Sequence, residues 1–130
     1  MSGLFILIGA ISALTSIALG AFAAHAIQDQ LTVANLAIYA TANDYHMMHS
    51  LALLLIALLL PHATSPALIT RAGLTLLVGM LIFSGSLYLL ALLDLRWLGA
   101  ITPIGGVLLM IGWAILAFAG WQQLRQDRDD

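Results

Sequence analysis

The sequence predicts an all-α fold: four membrane-crossing helices in one bundle, with a short interfacial helix between the first and the second. Composition is the first reason. Of 130 residues, 62% are apolar and only 8% charged, against about a quarter charged in soluble domains. The placement of charge is the second. Four arginines and six aspartates, without lysine or glutamate, lie almost entirely between or beyond the apolar runs, as insertion into lipid requires. The third is run length: four stretches each approach the ~20 residues that cross ~30 Å of hydrocarbon at ~1.5 Å per residue.

These stretches cover residues 3–24, 42–60, 72–93 and 99–121 within a single integral membrane domain, 1–130. The first lacks a basic leader and is longer than a secretory h-region, so it reads as a retained helix despite the Ala-His-Ala at 24–26. Between the first two runs, Thr32 suits an N-cap, and Val33, Leu36, Ala37 and Ala40 recur at helical spacing. That pattern predicts a surface helix over residues 33–41; one long, tilted second helix is the alternative. Pro61 and Pro66 bound a turn in which Thr64 or Ser65 can cap the third helix. Asp94–Trp97 is only long enough to reverse direction, with Trp97 suited to the headgroup boundary. Pro103 falls in the opening turns of the fourth helix, where proline is tolerated.

Arg71, Arg125 and Arg128 lie on one side of this scheme and Arg96 on the other. Arginine bias therefore predicts a cytoplasmic (inner) membrane protein with both termini in the cytoplasm. The sequence has no cysteine, hence no disulfide or thiolate chemistry. A net charge of −2 without a basic cluster argues against nucleic acid as a partner. Lipid is the partner the sequence demands.

In lipid, helices associate through small residues that let backbones approach. Gly9, Ser12, Ser16 and Gly20 supply such a face on the first helix, Gly79 and Gly85 on the third, and Gly105, Gly106 and Gly112 on the fourth. These faces predict packing, extending to a homo-oligomer or a larger membrane complex.

Ionisable groups inside a membrane are costly enough to be candidate sites. His46 and His49, three residues apart, share a helical face behind Asp44 and Tyr45, and His25 closes the first helix on the same side. Imidazoles brought together there can ligate a metal or haem iron or relay protons; hydrogen bonding between helices is the plainer role. His62, in a turn, is solvated. Ser84, Ser86, Tyr88 and Thr102 offer further hydroxyls. No triad, phosphate loop or intramembrane carboxylate pair is present, so a non-enzymatic component is the leading expectation. A metal-, haem- or quinone-binding accessory and a small oligomeric transporter are the alternatives. No cofactor is required by the sequence.

The words Gly20-Ala-Phe-Ala-Ala-His25, Tyr45-His-Met-Met-His-Ser-Leu-Ala-Leu-Leu54, Phe83-Ser-Gly-Ser-Leu-Tyr88 and Gly99-Ala-Ile-Thr-Pro-Ile-Gly-Gly106 together resemble a bacterial membrane-protein family. It is the family of unknown function typified by YgdD and YwdK (domain of unknown function 423), similar to the small animal transmembrane protein 256. The resemblance implies a four-helix inner-membrane protein and brings no activity. It places His25 and His49 in the family's histidine words, with glutamine expected at position 46, tyrosine at 48 and glycine at 23. It also implies that a common site would join His25, Tyr45 and His49 with Ser84–Tyr88 and Thr102–Gly106.

Overall fold

In the computed structural model, which describes residues 1–129, four long helices account for most of the chain: α1 (Ser2–Phe22), α2 (Val33–Leu59), α3 (Pro66–Leu93) and α4 (Thr102–Asp129). Each belongs to a helical stretch long and apolar enough to cross a membrane, and no strand occurs among the described residues. The all-α, four-crossing architecture therefore holds.

Past α1 the chain widens into a five-residue π-helical segment, Ala23–Ile27. The Ile27 carbonyl then accepts the Gln30 and Leu31 amides at 3.0 and 3.2 Å, which turns the chain. Thr32 caps α2 as expected, its hydroxyl accepting the Asn35 amide at 3.2 Å. Beyond this cap the helix corrects one expectation. Residues 33–41 are not a separate interfacial helix; they are the opening turns of an unbroken 27-residue α2. No glycine or proline interrupts this stretch. Tyr39 and Ala42 are buried, and the Tyr39 hydroxyl donates to the Leu19 carbonyl of α1 at 2.9 Å. At ~1.5 Å per residue α2 is ~40 Å long, so it either tilts or carries its first turns beyond the hydrocarbon.

The α2–α3 turn begins with a 3-10 segment, Leu60–His62, and α3 then starts at Pro66 rather than near 72. Proline is at home in a first turn, where its missing N–H costs nothing. Ser65 holds the N-cap position with its carbonyl accepting the Leu68 amide at 3.0 Å but makes no side-chain cap bond; its hydroxyl instead donates to Gln122 Oε1 at 2.8 Å, while the Thr64 amide donates to Gln123 Oε1 at 3.0 Å. These bonds fasten the end of α4 to the turn. Between α3 and α4, Asp94 adopts a left-handed conformation (φ 52°) and meets Arg96 at 3.3 Å. Both side chains are well exposed, so the pair adds little stability. A second 3-10 segment, Arg96–Ala100, leads into α4, with Pro103 in its first turn as expected.

Each helix packs on the next in order, which makes α2 and α3 the central pair, with α1 and α4 as flanks. Phe5, Leu53, Ile56 and Leu76, all fully buried, form the dry core toward the end where the termini lie. Leu14 and Ile17 of α1, and Met110 and Phe118 of α4, are exposed on the chain's own surface and face lipid.

Most of the expected small-residue contacts are present, but inside the chain. A Cβ on Gly9 would come within 3.0 Å of the Ser50 carbonyl oxygen, and one on Gly20 within 3.0 Å of Asn43 Nδ2. In the α3–α4 seam, an added Cβ would come within 2.9 Å of the Leu109 amide at Gly79 and within 2.7 Å of the Leu76 side chain at Gly112, and at Gly105 it would collide with the Phe83 backbone. A Cβ on Gly106 would make only ordinary contact with the Phe83 ring, at 3.7 Å. Gly85 is the correction: nothing lies within 4 Å of its Cβ position, so it packs against no other helix of this chain. At Gly73, not singled out in the sequence, an added Cβ would come within 2.7 Å of the Phe5 ring.

Candidate functional site

Polar side chains in hydrocarbon must find partners within the protein, and α2 carries two such sets, one toward each flank. The first is a network shared by α1, α2 and α3. The Tyr88 hydroxyl donates to Asn43 Oδ1 at 2.9 Å, leaving its oxygen free to accept from His46 Nδ1 at 3.3 Å. His46 Nε2 then accepts from the Ser12 hydroxyl at 2.9 Å. The Ser50 hydroxyl stands 2.7 Å from both Ser12 Oγ and the His46 carbonyl, and Ser16 donates to Asn43 Oδ1 at 3.1 Å. These proton positions follow from donor and acceptor counting and leave the imidazole neutral. Tyr39 closes the network edge-on against Tyr88, ring centroids 4.9 Å apart.

The second set faces α4. Trp113 Nε1–H donates to His49 Nε2 at 3.2 Å. An indole has only a donor to give, so the proton of His49 must sit on Nδ1, which donates to the Tyr45 carbonyl at 2.8 Å. The Tyr45 ring stacks on His49 at 5.8 Å and on Phe83 at 4.5 Å. Beside these rings lies a recess of about 560 Å³ between α2, α3 and α4.

The expected common site is thus divided. His46 and His49 do not share a face in the packed bundle: one turns to α1 and α3, the other to α4. His25 is exposed on the π segment and joins neither set. Helix register explains its distance. Gly20 lies against Asn43 and Ser12 against Ser50, so His25 and His49 are separated by roughly 17 Å along the axis at ~1.5 Å per residue. Ser86 and Thr102 form a third contact at 2.8 Å, with Thr102 also donating to the Leu98 carbonyl at 3.1 Å. Ser84 is buried and its hydroxyl has no partner among the described residues. Asp44 is exposed beside the network rather than in it. Ser12 and Ser16, expected only to pack, are hydrogen-bonding members. No group of three or more metal-ligating side chains occurs among the described residues.

Three participants were not legible as site residues. Ser50 follows His46 by four positions and so shares its face. Asn43 sits where α1 presents Gly20, whose missing side chain makes its room. Trp113 had the most readable signal: it lies deep in an apolar run, away from the boundaries where tryptophan usually gathers, and there its N–H needs an acceptor.

Four membrane-length helices closed around inward-turned polar side chains define a multi-pass α-helical membrane protein. Residues 19–106 match the family described as Protein of unknown function (DUF423), and the chain belongs to that family. A UPF0382 membrane protein of Staphylococcus epidermidis is 46% identical over 115 residues, covering 88% of this chain and 93% of the relative. UPF0382 membrane protein YwdK of Bacillus subtilis is 39% identical over 120 residues, covering 92% and 98%. A Staphylococcus aureus UPF0382 membrane protein is 42% identical over 116 residues, covering 89% and 93%. No solved structure matches the chain.

Proposed function

We propose that this chain is a non-enzymatic helical component of the inner membrane that acts by association, with copies of itself or within a larger membrane complex, and keeps both termini in the cytoplasm. The observation supporting this reading is how its interior polar groups are used. Both ring nitrogens of His46 and of His49 are engaged by groups of the same bundle, so neither imidazole offers a ligand or base without breaking a helix contact. Joint ligation by His25 and His49 has no geometric basis.

The surface for association differs from the sequence expectation. Apart from Gly85, the small-residue faces are occupied within the chain, leaving the apolar outer faces of α1 and α4 to meet a partner. Particle mass of the purified protein in nanodiscs tests this. An oligomer or a stoichiometric co-purifying membrane protein is the expected result; a strictly monomeric particle without a partner overturns it. Single cysteines at Gln28 and Arg125 test orientation, with membrane-impermeant reagent labelling only position 28 from outside.

A further inference from the structure

The recess beside Tyr45 and His49 goes beyond that reading, and the geometry points to a lateral binding site for a neutral lipid-phase ring bearing a carbonyl, of the quinone class. Its walls are aromatic. Tyr45, Phe83 and Trp113 line it with His49, Met48 and Val107, offering π faces and a polarisable thioether. Its volume, about 560 Å³, falls within the range of small-molecule sites.

Access is from lipid. Tyr45, Met48, Val107 and Trp113 are all exposed on the chain's surface, so an occupant enters sideways from the bilayer without crossing the core. Pro103 and Trp113 both line the recess; ten residues apart on α4, they give it a reach of roughly 15 Å along the helix, enough for a ring and the start of its tail.

Two observations select the chemistry. No arginine or aspartate lines the recess, so a charged headgroup finds no counter-ion there. The one polar group left to an occupant is the Tyr45 hydroxyl. That side chain makes ring contacts with His49 and Phe83, and its hydroxyl bonds to no group among the described residues. A phenol beside hydrocarbon gains most from an acceptor, and a ring carbonyl supplies one where a saturated acyl chain does not. The His49–Trp113 bond fixes the indole wall in advance, which lowers the ordering cost of binding.

The test uses full-length protein carrying Trp97→Phe and Trp121→Phe in phosphatidylcholine nanodiscs, so that Trp113 alone reports, titrated with a short-chain benzoquinone. Saturable quenching is expected. Tyr45→Phe should weaken it about fivefold, as loss of one neutral hydrogen bond does. Val107→Phe, filling the mouth from an exposed position, should abolish saturation with the melting temperature unchanged. Quenching linear in quinone, saturation indifferent to Tyr45→Phe, or full displacement by a saturated alcohol of equal chain length overturns the site. Particle mass, read separately, decides the association reading.

Discussion

His46 and His49 sit less than one turn apart on α2, yet the two flanks they serve are built differently. On the α1 side, polar groups from three helices interlock, so each bond orients the next. On the α4 side a single indole–imidazole bond stands beside a recess, and close backbone packing through Gly79, Gly105 and Gly112 supplies most of the cohesion. Helix association in lipid thus has two solutions here, shared polarity and close approach. They should fail differently.

The sharpest break is expected in the close-approach seam. Gly105→Ala places a methyl group against the Phe83 backbone, which a rotamer change cannot relieve; it should cost about 1–3 kcal/mol or more. Gly85→Ala, with open space at its Cβ position, should stay within about 0.5 kcal/mol. Unfolding in mixed micelles measures both, and equal losses would contradict the seam. Next comes the comparison of the histidines. His46→Leu strands partners on two other helices and should cost about 1–3 kcal/mol, with His46→Gln recovering part because an amide offers both a donor and an acceptor. His49→Leu removes one interhelical bond, for which membrane double-mutant cycles average about 0.6 kcal/mol, and it should red- or blue-shift Trp113 emission where His46→Leu does not. Were His49→Leu the costlier change, the contrast between the flanks would be reversed. Among the polar changes Ser86→Ala should be the mildest, about 0.6 kcal/mol or less, because Thr102 keeps the Leu98 carbonyl; a larger loss in the same micelles would give that pair a role beyond its geometry.

The four crossings were legible because apolar length and charge placement are one-dimensional quantities. Thr32 as a cap and Pro103 in a first turn were readable for the same reason, each being local chemistry. The interfacial helix was not, because amphipathic spacing over residues 33–41 suits a bundle face as well as a membrane surface, and only Tyr39 reaching Leu19 distinguishes them. The histidines misled in another way. Spacing of three places side chains roughly 60° apart on a helix, which is one face when a single neighbour is present and two when neighbours stand on both flanks. Gly85 and Gly105 look alike in the sequence; which of them meets a backbone depends on the rotation of α3 and α4, and that is set by every contact in the seam together.

The polar network stops short. Beyond Ser12 and Ser50, toward the termini, the interior passes to Phe5, Leu53, Ile56 and Leu76, all fully buried, a layer of hydrocarbon side chains. Among the described residues of a single copy, the polar side chains therefore form no unbroken row from one end of the bundle to the other; a greasy plug separates the wet-natured half from the end that carries the termini.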